Sequence, residues 1–381
     1  MPDDFRRAYA ALTEFVAHHP EIEIGDSVVS LPESVRTAFY DRFNAARDAF
    51  VEERFGKHLS ETAVLLEKYR QAEEKVAAWL SLEEPSTVSV LHRFLCDPKA
   101  ALTRELFDPL FDLLKGRESI DSFEKKACDG IETLYPGVFR GGYEKWAVLS
   151  LAGLLEAERA LRVQVRNLNP GERVKSAAYA PVEEVPSPEE STRFAFSQVR
   201  NAIFAVPDFI IHLAGPNRFL GIRSEFRESV YNALNPSPYR EWVAIDTELL
   251  ILLESGLTLV YVADEAASVA LVADAAKFCR PDLVLWCIDT RSLTPKEALE
   301  RMARVTGRLR PTVGSYIIAK DPWPESREPA GADSAAPAQD GVAGVHLLTV
   351  GYDESKLRPV ARAVLDWKNP AAQTDGGSEH A

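Results

Sequence analysis

A chain of 381 residues exceeds one average domain and predicts two. Hydrophobic residues at 46% and charged residues at 27% are ordinary globular proportions, enough to supply a sizeable core. The formal net charge of −14 argues against a strongly basic nucleic-acid-binding protein, because neutralising phosphates needs a Lys/Arg excess, at least in a local groove.

The N-terminal stretch "MPDDFRRAYAALTEF" carries acids and a helical period, not a basic segment followed by an apolar core. No apolar run reaches the roughly 18 residues of a membrane span. Cys96, Cys128, Cys279 and Cys287 lack CxxC spacing and read as reduced, mostly buried thiols, not as a zinc site or a disulfide framework. These features predict a soluble, acidic, cytoplasmic protein.

The first third reads as helical. Phe5, Tyr9, Leu12 and Val16 recur at helical spacing and stop before Pro20. Ser30 and Glu33 form a capping-box signature around Pro32, after which Val35, Phe39, Phe43, Ala46 and Phe50 mark one apolar face. Val64, Leu65, Tyr69, Ala72, Val76 and Trp79 continue the pattern, and further helices are predicted near 101–115, 119–134 and 142–163. A helical domain over 1–166 is expected. Its faces build a core and offer the best docking surface for a protein partner or a second copy.

Residues 167–192 contain four prolines, several acids and no sustained apolar period, which predicts a flexible Pro/Glu-rich linker. An α/β domain over 193–367 follows. It opens on a hairpin in "VPDFIIHLAGPNRFLGIRSEFR", residues 206–227. Then "TELLILLES" reads as a helix, and the strands "LTLVYVAD", "PDLVLWCIDT", "GSYIIAK" and "GVHLLTVGYD" alternate with the helices "EAASVALVADAAKFC", "TPKEALERMARVTG" and "ESKLRPVARAVLDW". Such alternation predicts a mostly parallel, helix-covered sheet with an antiparallel hairpin. The Pro/Ala-rich stretch 322–343 reads as a mobile insertion and 368–381 as a disordered tail.

Chemistry has few places to sit. On the hairpin, Asp208 lies in one run, while Glu225 and Arg227 lie two apart at the end of the other. Two carboxylates on adjacent strands can share a divalent cation, with a nearby cationic side chain steadying charge on a phosphate. On these residues the chain resembles the restriction-endonuclease-like, PD-(D/E)xK, nuclease family over residues 206–264. Pro207-Asp208 corresponds to its PD element and Glu225-Phe226-Arg227 to (D/E)xK. The resemblance implies a Mg²⁺-dependent nuclease or phosphodiesterase with Asp208 and Glu225 as metal ligands and Arg227 in the place of the lysine. An arginine there stays protonated and cannot act as a base. Placing the motif on Leu220-Gly221-Ile222-Arg223 instead would leave it without an acid.

In open α/β sheets ligands bind beyond the carboxyl ends of strands, where Asp264, Asp289, Asp321 and Asp353 fall. Asp264 and Asp353 suit helix caps, whereas Asp289 is the candidate for binding, since Thr294 caps the helix after it. Arg218, Arg223, Arg227 and Arg240, interleaved with Phe, Tyr and Trp, form a cluster suited to a protein interface or to phosphates and bases. No Gly-rich phosphate loop or GxSxG element is present, and the seven histidines do not pair. Two functions follow: a non-catalytic assembly or adaptor protein without a cofactor, or a Mg²⁺-dependent nuclease.

Overall fold

The computed structural model describes residues 4–25, 29–87, 89–163, 188–191, 193–196, 207–224, 256–270, 280–291, 293–323 and 344–368. The chain divides into two compact units. The first takes Met1–Glu67 and Ser89–Gly142, the second Lys68–Val88 and Tyr143–Ala381.

The first unit contains α1 (Asp4–His18), the antiparallel pair β1 (Glu23–Ile24) and β2 (Val29–Ser30), and the start of α2 (Glu33–Trp79). It adds α3 (Ser89–Cys96), α4 (Pro98–Arg104), α5 (Phe107–Leu114) and the start of α6 (Ile120–Leu154). The division falls inside α2 and α6. Aromatic side chains at helical spacing meet in its core. Phe5 packs on Phe50 and Phe123 with ring centroids 5.2 Å away from each, and Phe43 lies 4.4 Å from Phe111. Such rings bury large areas and favour edge and offset contacts. The two stretches read as separate helices around 119–134 and 142–163 are one helix, α6, which carries Pro136 in its interior. It ends at Leu154, where Glu156 takes a left-handed φ of 53° that an L-residue in a helix does not adopt.

The second unit is built on an eight-stranded sheet. Residues Arg159–Val163, read as helix from the sequence, form its strand β4. With it come β5 (Pro188–Glu190), β7 (Phe209–Leu213), β8 (Arg218–Arg223), β9 (Leu257–Ala263), β10 (Leu283–Ile288), β11 (Gly314–Ala319) and β12 (Val345–Thr349). Their order is β12-β11-β10-β9-β8-β7-β4-β5. A separate parallel pair joins β3 (Glu84–Thr87) to β6 (Arg193–Phe196). The expected class is the one observed: helices first, then a mixed α/β sheet with an antiparallel hairpin. Within the eight-stranded sheet parallel pairing is confined to β10–β11–β12, and every other neighbouring pair is antiparallel, so the antiparallel part extends well past the hairpin. Strands buried on both faces read as the same Val/Ile/Leu runs in either direction, and their direction is therefore not written in them.

A 3₁₀ turn (Ala266–Val269) follows β9, and α7 (Pro295–Leu309) packs on β11 and β12. Buried Ala298, Met302, Val305 and Leu309 supply its inner face. Its start is the expected capping box: the Thr294 hydroxyl accepts from the Glu297 amide, and the Glu297 carboxylate accepts from the Thr294 amide at 2.9 Å. Thr294→Ala should therefore cost about 1 kcal/mol, the usual worth of such a cap, read as a lower denaturation midpoint with an unchanged slope. Trp323, inside the stretch expected to be a mobile insertion, is buried and donates to the Leu293 carbonyl at 2.8 Å; residues 324–343 lie outside the described residues. A second 3₁₀ turn (Glu354–Leu357) leads into α8 (Arg358–Leu365). Among the described residues no helix is long and apolar enough to cross a membrane.

Candidate functional site

The hairpin is closed by the turn Ala214-Gly215-Pro216-Asn217, with Asn217 at a left-handed φ of 48°. Asparagine tolerates that conformation better than most L-residues. The turn fixes the register, in which Leu213 faces Arg218 and Phe209 faces Ile222. Continued by one residue, that register sets Asp208 opposite Arg223. Asp208 donates its amide to the Ile222 carbonyl at 2.8 Å, so the ladder reaches it.

The side chains meet accordingly. A guanidinium nitrogen of Arg223 donates to Asp208 Oδ1 at 2.7 Å. The other carboxylate oxygen accepts from the Ser224 amide at 2.9 Å and from the Ser224 hydroxyl at 2.6 Å. The three residues are 7%, 3% and 3% exposed. A buried carboxylate bound in this way is neutralised by a fixed charge and three donors, which is what a stable buried ion pair requires.

Gly221 is two residues before Arg223, opposite Ile210 on one side and Tyr261 on the other. A Cβ there would lie 2.7 Å from the Val269 carbonyl oxygen, 3.0 Å from Val269 Cβ and 3.1 Å from Pro207 Cγ. The 3₁₀ turn after β9 thus occupies the space that a side chain at 221 would need.

The structure brings Asp208 together with Arg223, an arginine the sequence suggested for a contact surface. Glu225, Arg227 and Arg240 lie outside the described residues. Arg218 reaches the end of α8, donating to the carbonyls of Leu365 at 2.7 Å and Val364 at 3.3 Å, and lies 5.3 Å over the Trp367 ring. A cation there satisfies the last carbonyls of a helix and its negative dipole end. The hairpin residue His212 faces Glu158 through Nδ1 at 3.1 Å and Asn217 through Nε2 at 3.0 Å, tying the turn to the start of β4.

The acids at strand ends are separately engaged. Burial alone would raise the Asp289 carboxyl; hydrogen bonds from the Arg291 side chain and amide, with the charges of Arg291 and Lys320, hold it below its ordinary value instead. Asp321 pairs with Lys320 at 2.5 Å. Asp353 caps the second 3₁₀ turn, accepting from the Ser355 hydroxyl at 2.6 Å and its amide at 3.0 Å; that hydroxyl is the leading cause of its lowered pKa. Asp264 is exposed after β9. Among the described residues no three His, Cys, Asp or Glu side chains group to hold a metal ion. The described part of the hairpin does not suit Mg²⁺, because both oxygens of Asp208 are committed to cationic or N–H and O–H donors, and a hard cation needs free oxygen ligands.

A buried charged pair and a half-buried acid escaped the sequence reading. Glu144 and Lys145 on α6 are fully buried, with Lys145 Nζ 3.4 Å from Glu144 and 5.4 Å over the Phe196 ring. The Thr258 hydroxyl of β9 donates to Glu144. Their signal was a charged pair embedded in the otherwise apolar "GGYEKWAVLSLAGLL". Asp282, just before β10, accepts from the Val262 amide at 2.8 Å, from the Trp367 indole at 3.3 Å and from the Thr312 hydroxyl. It is a half-buried anchor for three segments, marked in the sequence only by a Pro-Asp pair ahead of an apolar run. Comparison with protein-family models, curated proteins and solved structures returns no match.

Proposed function

We propose that the protein is a non-catalytic cytoplasmic assembly or adaptor protein that works through protein contacts. One observation carries this reading: the guanidinium of Arg223 sits on Asp208 where a nuclease platform would place its cation. In the observed register Asp208 stands across from Arg223, the last residue of Gly221-Ile222-Arg223, so the PD-(D/E)xK resemblance is best read as a degenerate one. Glycine then takes the place of the acid, at a position with no room for a carboxylate, and arginine takes that of the lysine. Such a hairpin keeps the scaffold and loses the metal. Free thiols at Cys96, Cys128 and Cys287 support a reducing compartment.

The test is a cleavage assay on single- and double-stranded DNA and RNA with Mg²⁺ or Mn²⁺. No cleavage above a buffer control is expected. Metal-dependent cleavage that disappears in Glu225→Gln, with the melting temperature unchanged, would overturn the reading and restore Glu225 as a ligand.

A further inference from the structure

His212 is a buried titratable side chain near the tip of the hairpin, and both of its ring nitrogens face oxygen. Nδ1 lies 3.1 Å from Glu158 Oε2, and Nε2 lies 3.0 Å from Asn217 Oδ1. The residue is 7% exposed, and its ring centroid is 4.5 Å from that of Phe219 on β8, tilted by 31°. An ionised carboxylate and an amide oxygen can only accept, so these two partners require two N–H donors. A neutral imidazole carries one N–H and the imidazolium carries two. An aromatic ring alongside also favours a cation.

The contacts hold the end of the hairpin from two directions. Glu158 stands immediately before β4 and donates its amide to the His212 carbonyl at 2.8 Å, so its position beside the ring is fixed through the backbone. Asn217 closes the four-residue turn, donating its amide to the Ala214 carbonyl at 3.1 Å. Ala214, Gly215, Pro216 and Asn217 are all exposed. The other charged groups around the ring point elsewhere or lie further off. Arg159, opposite His212 in the β4–β7 ladder, pairs with Glu190 of β5 at 3.0 Å. Arg218 of β8 donates to the carbonyls at the end of α8. Asp208, four residues back along the same face of β7, is held by Arg223 and Ser224. Asp264 follows Ala263, the β9 partner of Phe219. Among the described residues Glu158 is therefore the charged side chain that meets the imidazole.

We propose that His212 is a proton-operated latch on the hairpin turn. Its imidazolium ties Asn217 to Glu158, and loss of one proton to water leaves a single N–H for two acceptors. The unprotonated nitrogen then sets a lone pair against an oxygen, and one tie is released. The sign follows from the form the contacts favour. The latch is closed on the acidic side and opens as pH rises between about pH 5 and pH 8, the span in which imidazoles change charge. What it controls is the order of the exposed turn, independently of whether the protein is an adaptor.

The test is hydrogen exchange of the full chain, read by mass spectrometry on peptides covering the turn at about pH 6 and about pH 8, with rates corrected for the intrinsic effect of pH. Protection of the turn should fall by about three- to tenfold at the higher pH, the range for one net hydrogen bond. Glu158→Gln gives the ring a partner that can donate as well as accept, and should lose most of that dependence; the Glu158 side chain is 58% exposed, so the fold should tolerate it. His212→Gln should lose the dependence entirely. Asn217→Asp makes both partners carboxylates and should enlarge it. Protection that is equal at the two pH values, that rises with pH, or that falls equally in Glu158→Gln would overturn the proposal. A natural chain indifferent to pH beside a sensitive Asn217→Asp would also sink it, because the Asn217 amide would then turn round and donate to a neutral ring.

Discussion

Arg223→Met should destabilise the second unit by about 3–5 kcal/mol, the loss typical of stranding one partner of a buried ion pair. The carboxylate left behind has its Oδ2 still bound by Ser224, but Oδ1 loses the charged donor that Arg223 supplies at 2.7 Å. Urea denaturation read by circular dichroism gives the number. The companion variants decide its meaning. Asp208→Asn should recover part of the loss in the Arg223→Met background, because a neutral amide needs no counter-charge. A double variant as unstable as the sum of the two single ones would show that the residues act independently, and the pairing on which the assembly reading rests would fall with it. A solvated pair would give less than about 1 kcal/mol, so the magnitude alone separates the two cases.

Gly221→Glu should fail to give a cooperatively folded second unit. Its Cβ must displace a backbone oxygen at 2.7 Å, and backbone yields less readily than the tip of a side chain. Gly221→Ala isolates that term and should cost about 1–3 kcal/mol, as overpacking of a tight core does. The glutamate adds a carboxylate with no designed donor among packed apolar groups, which raises the cost further. The informative measurement is the melting temperature of Gly221→Glu with and without 10-fold variation in Mg²⁺. A folded variant stabilised by Mg²⁺ would mean that position 221 can still complete a metal site, and that the hairpin is one substitution from activity instead of structurally committed against it.

Much of the architecture is legible in the residues. β9, β10, β11 and β12 fall on four Val/Ile/Leu-rich runs, and α7 starts where Thr294, Pro295 and Glu297 announce it. What the runs do not carry is direction: β9 and β10 pair antiparallel although their apolar content would serve a parallel pair equally. The short strands β3 and β5 are Glu- and Pro-rich, so nothing in their composition separates them from loops. At the hairpin the residue types pointed to the right element but did not single out Arg223 as the partner of Asp208. Spacing alone relates Glu225 to Arg227, which lie outside the described residues, and says nothing of what stands across from Asp208. Pairing across strands is set by the four-residue turn, and counting outwards from Leu213 and Arg218 arrives at Asp208 and Arg223. Arg218 could not have been assigned from its neighbours, because the carbonyls it binds belong to residues 364 and 365.

That last tie bears on how the chain acquires its structure during synthesis. Arg218 waits for partners 146 and 147 residues downstream, and Asp282 for an indole 85 residues further on. Sequence separations of this size delay the reward for closing a loop until after its entropy has been paid. The hairpin and the centre of the sheet therefore leave the ribosome before the helix end and the tryptophan that secure them. A nascent chain stalled before residue 364 leaves the Arg218 guanidinium without its helix-end carbonyls and Asp282 without its indole donor, and pulling-force measurements along translation should show the last increment of folding only once Trp367 has cleared the exit tunnel.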